Sequence, residues 1–270
     1  MEMSIPMDPV SDPERRFNQS NKNNNTGECK MQKSKLDRFI QKYTLGGNVQ
    51  SVKWKSDGNT LLTTFVTPDK SLLGTVVADK FSFDVAELGV YSTEQLQKLL
   101  NVLTDDINVS LTKFGDKAVS LNVKNGSASI DYVLSDLSVI VEAPPLKKLP
   151  KFGTEIKLDT KFIQTFIKGK SALSDVDSFT IINDTKGTKV IIGYSSTNTN
   201  RVTIPVEATR CDIDNAPISF NANLFKEVLL ANRECTSARL EVSTEGLARV
   251  NFKVDDYDST YYIVATQGVD

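Results

Sequence analysis

A proline-rich segment divides the chain into two stretches that repeat the same order of predicted elements. This segment, residues 143–153, contains three prolines. Proline fixes φ and lacks an amide donor, so the segment favours an extended connection. The chain has 270 residues, a length that suits two domains of roughly 100 to 150 residues each. We therefore predict one domain over 31–142, a connector over 143–153 and a second domain over 154–270.

The first stretch begins with a predicted amphipathic helix. Apolar side chains from Leu36 to Tyr43 recur at i, i+3, i+4 and i+7, and Gly46-Gly47 ends the pattern. A second helix is predicted after Ser92, which is spaced from Gln95 as in a capping box. Strands separated by turn residues are predicted at Ser51–Ser56, Thr60–Thr67, Ser71–Ala78, Ile107–Lys113, Lys117–Lys124 and Ala128–Leu134.

The second stretch follows the same plan. A helix capped by Asp159 is followed by predicted strands, then by another helix and final strands. Phe39-Ile40-Gln41 in the first helix recurs as Phe162-Ile163-Gln164 in the third, which a duplicated domain would produce. The first three strands of this stretch are predicted at Phe179–Ile182, Lys189–Ser195 and Arg201–Ala208.

Residues 1–30 are rich in Asn, Ser, Asp and Pro and have neither helical nor strand periodicity, so we predict a disordered tail. No apolar run approaches the roughly 18 to 20 residues that span a bilayer, and the first residues lack a signal-peptide apolar stretch. We therefore expect a protein that contacts no membrane and stays in the cytoplasm.

The composition argues against an enzyme. The chain has no histidine, which removes the commonest general base and the commonest metal ligand. Its cysteines, Cys29, Cys211 and Cys235, are odd in number and lack zinc-site spacing. The glycine-containing turns form no nucleotide-binding fingerprint. We therefore expect no catalytic residue, no metal and no cofactor.

Acidic clusters are the remaining candidates for metal binding or acid–base chemistry. Paired carboxylates such as Asp105-Asp106 and Asp255-Asp256, with Asp258, could hold Mg²⁺. The alternative is that they lie in turns between strands, where aspartate accepts local backbone hydrogen bonds. We favour the turn interpretation.

The polar faces of the predicted helices carry cations. With a net charge of −2, the chain has no overall attraction to nucleic acid, so any such contact requires segregated charge. A solvated charged face is the alternative for any single helix. Four helices in two similar domains favour a common function for these cations, which are Lys35, Arg38, Lys42, Lys98, Lys161, Lys168, Lys170, Lys226 and Arg233.

Short matches in a shared order make residues 31–266 resemble a known family. They are Phe81-Ser-Phe-Asp-Val, Leu99-Leu-Asn-Val-Leu-Thr-Asp-Asp106, Thr154-Glu-Ile-Lys157 and Tyr261-Tyr-Ile-Val-Ala265. With the order of helices and strands, these segments resemble the DNA sliding clamps of T-even-type tailed phages. They resemble more distantly the two-domain trimeric clamps of eukaryotes and archaea.

The resemblance implies an α+β protein of the DNA-clamp fold, with two similar domains that each pack two helices on antiparallel sheets. It implies a closed head-to-tail homotrimer that encircles double-stranded DNA without reading its sequence. It also implies two protein partners, a DNA polymerase and a clamp-loader ATPase. The basic helix residues, together with Lys33, are then expected to line the hole and to touch phosphates through water.

The resemblance also implies two protein-binding regions. The subunit interface is expected to pair strand Ala128 to Leu134 of one copy with strand Arg201 to Glu207 of the next, with Tyr132 buried between them. The interface residues are Ala128, Ile130, Tyr132, Leu134, Arg201, Thr203 and Pro205. A pocket for partner peptides is expected at the connector, the C-terminal strand and a neighbouring hairpin. The alternative for the apolar residues of the connector is that they only fix it against the two domains. Its residues are Leu146, Leu149, Phe152, Leu247, Tyr262 and Val264.

Two other classes of protein share some of these features. A carbohydrate-binding or esterase-like β-rich protein fits the many strands, but the sequence offers neither aromatic platforms nor a nucleophile–base pair. A structural phage or capsid-associated protein also tolerates β-rich duplication. The oligomeric state distinguishes these classes, because a closed trimer favours the clamp whereas a monomer or an open polymer favours the others.

Overall fold

The computed structural model describes residues 28–126, 128–197, 199–213 and 217–266. Within these ranges the helices are α1 Lys33–Thr44, α2 Thr93–Leu100, α3 Thr160–Ala172 and α4 Ala222–Ala231. The strands are β1 Cys29–Gln32, β2 Val52–Ser56, β3 Leu61–Val66, β4 Leu72–Ala78, β5 Ala86–Val90, β6 Asp106–Phe114, β7 Lys117–Asn125, β8 Ala128–Val133, β9 Thr154–Asp159, β10 Ser178–Asp184, β11 Gly187–Ile192, β12 Val202–Pro205, β13 Ala208–Arg210, β14 Ile218–Asn221, β15 Ser237–Ser243, β16 Leu247–Val254 and β17 Tyr257–Val264. No helix among these residues is long and apolar enough to span a membrane.

The two halves have the same strand order. In the first half the strands run β1-β6-β7-β8 and β4-β3-β2-β5, and in the second half they run β9-β15-β16-β17 and β12-β11-β10-β14. All of these pairings are antiparallel. The α+β class with antiparallel sheets, predicted from the sequence, is therefore confirmed. The repeat extends to the topology, beyond the order of elements along the chain.

Side-chain caps fix where three of the helices begin. The Ser92 side chain accepts a hydrogen bond from the Gln95 amide at the start of α2, as the sequence predicts. Asp159 does the same for the Phe162 amide of α3, at 2.7 Å. Asn221 caps α4 in the same way. Each cap supplies an acceptor to an amide that has no partner within its helix, which fixes the boundary between strand and helix.

Aromatic rings fill the core of each half. In the first half Phe39 and Tyr43 of α1 contact Trp54, with ring centroids 5.5 and 6.2 Å away. In the second half Phe166 of α3 and Phe225 of α4 pack edge to face at 4.9 Å. Side chains at helical spacing on one face of each helix therefore cover the sheets. The helices contact one another in the row α2-α1-α4-α3.

The halves join through strand β17, which pairs with β4 along its length and merges two of the sheets into one of nine strands. The ring of Tyr261 in β17 packs against Phe65 in β3, with centroids 6.3 Å apart. Its hydroxyl donates to the carbonyl of Lys42 in α1 at 2.8 Å. Backbone pairing, ring packing and a buried hydrogen bond thus connect the halves at one place.

Three details differ from the sequence predictions. Strand β1 includes Cys29 and Lys30, so the predicted tail 1–30 extends too far, and residues 1–27 lie outside the described residues. The predicted order of elements lacks β5, a strand in which buried and exposed side chains do not alternate. Phe39 is the seventh residue of α1 but Phe162 is the third of α3, so the repeated tripeptide occupies different turns of the two helices.

Lys42 does not face solvent, contrary to its prediction as a DNA contact. Its side chain is 0% exposed, and its ammonium donates to the carbonyl of Ala231, to Asn232 Oδ1 and to Glu234 Oε1 at 3.1, 3.0 and 2.8 Å. Burial lowers the pKa of Lys42. Burial also opposes ionisation of Glu234, but the hydrogen bond from Lys42 leaves the pKa of Glu234 below its ordinary value. Lys42 therefore joins α1 of the first half to the end of α4.

Replacing Lys42 with Ala should destabilise the fold by about 3 kcal/mol, because it removes one of the two cationic partners of Glu234 and leaves the Ala231 carbonyl and the buried Asn232 Oδ1 without this donor. The measurement is the free energy of unfolding in urea. Lys42→Met, which keeps most of the volume, should lose less. Lys98→Ala, at an exposed helix position, is the matched control and should be unchanged. Equal stability of Lys42→Ala and the control would contradict this role.

Candidate functional site

The other cations of α1 are held by acidic side chains. Lys33 pairs with Asp37 at 2.8 Å, and Lys35 lies 3.7 Å from Asp256. Arg38 bonds both Glu234 and Asp255, at 3.3 and 2.9 Å. The predicted cationic face of α1 is therefore largely neutralised by the turn between β16 and β17 and by the residues after α4. Its most exposed positions are Ser34 and Gln41.

Asp255 and Asp256 supply two of these partners, and both acidic clusters contain turn residues. Asp105 and Asp255 have positive φ values of 28° and 51°, a conformation that aspartate adopts more readily than most residues. Asp256 follows in the same turn, whereas Asp106 and Asp258 begin or lie within strands. Across the described ranges no group of three or more cysteine, aspartate and glutamate side chains is arranged to hold a metal ion.

Helix α3 has the clearest cationic surface. Lys161 and Lys168 are exposed and lie on the same side of the helix, seven residues apart, where side chains two turns apart align. Gln164 is exposed between them, and no acidic residue occurs within α3 itself. Lys170 is an exception to the prediction, because it is buried and donates to the carbonyls of Leu173 and Ser174. Lys170 therefore supplies a donor to carbonyls just beyond the C-terminal end of the helix, and its prediction as a DNA contact is wrong.

The remaining predicted cations are more dispersed. Lys98 of α2 is exposed but pairs with Glu94 one turn away at 2.6 Å. Lys226 of α4 is half-buried, and Arg233 is exposed just beyond that helix. Because the four helices contact one another in a row, these cations and those of α3 belong to one helical layer. Among the described residues Lys161, Lys168, Lys226 and Arg233 have no ion pair, and α3 carries two of these cations at exposed positions.

Three of the residues predicted for a peptide pocket lie on one face of the nine-stranded sheet, which we call the floor. Leu247 of β16 is directly opposite Val264 of β17, and Arg249 is opposite Tyr262. Residues opposite one another in an antiparallel pair share a face. On the other side, Tyr262 is paired with Leu73 of β4. Apolar side chains thus continue across three strands, and Val264 is 48% exposed.

The connector runs past this floor without helix or strand from 141 to 153. The guanidinium of Arg249 lies 4.6 Å from the ring centroid of Phe152, so one connector residue is fixed against the sheet by a cation–π contact. Leu149 is half-buried, whereas Leu146 is 46% exposed. The six predicted residues therefore comprise three on the sheet and three along the connector that passes it.

β8 and β12 are edge strands with one unpaired side, as are β1, β5, β13 and β14. β8 is the last strand of β1-β6-β7-β8, and β12 is the first of β12-β11-β10-β14. Both are the strands that the sequence predicted for the subunit interface, with β12 shortened to Val202–Pro205. Exposed edge strands are open to pairing with another chain. Pro205, which has no amide donor, occurs at such an edge as expected.

The side chain of Tyr132 is not available at this edge. It is buried within its own half, and its hydroxyl bonds the backbone amide and carbonyl of Ser92 at 3.0 and 3.1 Å. Ile130 and Leu134 point to the same core. The expectation that Tyr132 is buried between subunits is therefore corrected: the opposite face of β8 presents Ser129, Asp131 and Val133.

Sequence patterns missed the partners of the basic residues. Glu234, Asp255 and Asp256 are far from α1 along the chain, and helical periodicity describes only one helix at a time. The one available sequence signal is the acidic pair Asp255-Asp256, for which the sequence analysis predicts a turn. That assignment is correct but incomplete, because the turn also faces α1.

Solved structures with this architecture exist, although no family model and no curated protein matches the sequence. The proliferating cellular nuclear antigen of Entamoeba histolytica has a TM-score of 0.67 and 16% identity, covering 89% of this chain and 98% of its own. The A. fulgidus PCNA, solved with the C-terminal region of FEN-1, has a TM-score of 0.68 and 16% identity, covering 90% and 99%. The likeness extends over both halves and the joint between them, and the chain therefore has the DNA-clamp fold.

Proposed function

We propose that the protein is a sliding clamp: a homotrimeric ring that encircles double-stranded DNA and tethers a DNA polymerase to it. A clamp-loader ATPase opens and closes the ring. The protein catalyses no reaction in this role, because retention on DNA comes from topology. The two solved structures of the same fold are sliding-clamp proteins, and one of them was solved with a peptide of a partner protein, FEN-1.

The observation that carries the proposal is that two edge strands, β8 and β12, correspond to the two strands that join the halves of the duplicated chain. β8 holds the same place in the first half as β17 in the second, and β12 the same place as β4. Within the chain β17 pairs with β4. Pairing β8 of one copy with β12 of the next would repeat this joint and remove both edges. Such a head-to-tail contact closes into a ring when the rotation between copies permits.

The helical layer supports contact with a DNA backbone. Lys161 and Lys168 project from α3 with no neighbouring acid on that helix. Lysines near phosphates release counterions and attract DNA of any sequence. Because most cations of α1 are already paired, the attraction is weak enough for the ring to slide. Lys33, Lys35, Arg38, Lys98, Lys226 and Arg233 remain proposed contributors, and α3 is proposed as the main contact.

Retention on DNA tests the ring. The protein, loaded on nicked circular DNA by the loader of the same source, should stay bound during gel filtration in high salt and dissociate once the circle is linearised. Light scattering should give the mass of a trimer. Equal loss from circular and linear DNA, or an open polymer, would exclude the clamp and favour a structural protein.

Charge reversal on α3 should weaken DNA contact while the ring stays intact. We expect Lys161→Glu with Lys168→Glu to reduce loading and processive synthesis, and to flatten the dependence of log affinity on log salt by about 0.9 per lost phosphate contact. Lys117→Glu with Lys124→Glu, on exposed residues of β7, is the matched control. The α3 assignment fails if both double variants behave as wild type.

The partner pocket is tested by peptide binding. Leu247→Ser, Leu149→Ser and Val264→Asp should each weaken a C-terminal peptide of the cognate polymerase about ten-fold, because a few buried anchors carry most of the energy in such interfaces. Fluorescence anisotropy measures the change, and light scattering checks that each variant remains trimeric. Val102→Asp, at an apolar residue that is 64% exposed after α2, is the control. Wild-type affinity in all three variants would eliminate this pocket.

A further inference from the structure

The joint between β17 and β4 is an internal copy of the contact that the free edges can form. In the repeated strand orders β8 corresponds to β17, and β12 corresponds to β4. The register of the internal joint is known at every position. This register can therefore be transferred to β8 and β12. The transfer requires that residues with outward-pointing amides and carbonyls on one strand lie opposite such residues on the other.

On β8 the outward backbone groups belong to Ser129, Asp131 and Val133. The amide of Leu134 donates to the carbonyl of Val119 in β7 at 3.0 Å. In an antiparallel ladder the amide and carbonyl of successive residues point alternately to one neighbour and to the other side. Leu134 and the even-numbered residues of β8 are therefore bonded to β7. The odd-numbered residues direct their amides and carbonyls away from the sheet.

On β12 the outward groups belong to Arg201, Thr203 and Pro205. The amide of Val206 donates to the carbonyl of Thr188 at 3.1 Å, which fixes the same alternation. Pro205 offers only its carbonyl, because proline has no amide hydrogen. Odd-numbered residues of β8 must therefore pair with odd-numbered residues of β12, and a slip by one residue is excluded.

The position of β12 follows from the repeat. Thr63 in β3 is paired with Trp54 in β2, and Val190 in β11 is paired with Ile181 in β10, so each lies nine residues after its partner in the corresponding hairpin. Their partners in the next strand are Val76 and Ile204. Ile204 in β12 therefore corresponds to Val76 in β4.

The position of β8 follows from its hairpin. β8 begins at Ala128, which is paired with Asn125 of β7, and β17 begins at Tyr257, which is paired with Val254 of β16, so each strand begins three residues after its first partner. Ile130 and Ser259 are each the third residue of their strand, and Ser259 is paired with Val76. Transferring this pair places Ile130 opposite Ile204. The result satisfies the rule derived from the outward groups, although that rule was obtained independently.

We propose that adjoining copies join in this one register, an inference that rests on the proposed ring. Ser129 then faces Pro205, Asp131 faces Thr203 and Val133 faces Arg201. The three facing pairs can form about five backbone hydrogen bonds, since Pro205 lacks one donor.

The side chains fit this register on both faces of the sheet. Ile130 and Ile204 are buried on the inner side, so their contact continues the apolar core from one copy to the next. On the outer side Asp131 lies diagonally opposite Arg201, within reach of a long side chain. Within one copy Asp131 accepts a hydrogen bond from Asn122, and Arg201 donates to the carbonyl of Thr197. Neither has a partner of opposite charge within the described part of its own copy.

Disulfide trapping tests the register. Cysteines at Asp131 and Thr203 should form a bond between copies, because directly opposed residues have Cα atoms about 5.5 Å apart. Cysteine at Asp131 combined with Arg201→Cys or Pro205→Cys should not, because diagonal residues are about 7 to 8 Å apart. All variants carry Cys29→Ser and Cys211→Ser. The internal pair Thr75→Cys and Thr260→Cys, opposite one another in the chain, is the positive control.

Oxidation followed by denaturing electrophoresis should give covalent dimers and trimers with Asp131→Cys/Thr203→Cys alone. Stronger cross-linking of either diagonal pair would overturn the register and leave the ring standing. If light scattering gives a trimer but none of the three cysteine pairs between copies forms a cross-link, the register is also overturned. A monomer at all concentrations would overturn the ring itself and the register with it.

The charge pair gives a second test. Asp131→Arg and Arg201→Asp should each raise the trimer dissociation constant about two- to five-fold, and the double variant should restore it. If the double variant shows the sum of the two single losses in trimer affinity, with no restoration, the diagonal contact is contradicted. Asp116→Arg, at an exposed turn between β6 and β7, controls for the change in net charge.

Discussion

The antiparallel pairing of β17 with β4 is the interaction on which the rest of the architecture depends. It places strands from both halves in one sheet, and it sets the side on which α1 and α4 meet. The Lys42 ammonium, the Tyr261 hydroxyl and the Phe65 ring all act at this joint. Without it the halves would be two small domains on a proline-rich connector.

The sequence predicted what depends on short-range patterns. Apolar spacing found α1, hydroxyl and carboxylate caps found α2 and α3, and turn residues separated most strands. Tertiary contacts explain the failures. Lys42 has the spacing of an exposed residue on one helix, but α4 and Glu234 of the other half cover it. Tyr132 fits the predicted alternation of side chains along β8, but alternation alone does not say whether its side faces the core or a neighbouring subunit. Its hydrogen bond with Ser92 places it in the core of its own half.

The distribution of charge separates two uses of lysine and arginine. On α1 the cations stabilise the joint between halves through Glu234, Asp255 and Asp256, so they contribute little field to the surface. On α3 the exposed Lys161 and Lys168 have no such partners within the helix. A chain with net charge of −2 can thus attract a polyanion locally while its total charge remains slightly negative.

The difference in length between the two kinds of joint has a mechanical consequence. β17 and β4 are paired at seven positions inside the chain, whereas β12 has four residues and ends in a proline. A load that pulls a ring of these chains apart meets fewer backbone hydrogen bonds at the boundary between copies than within a copy. If the chain forms the proposed ring, that ring is expected to yield first between subunits, so that an opening wide enough to admit a duplex would leave the fold of each subunit unchanged.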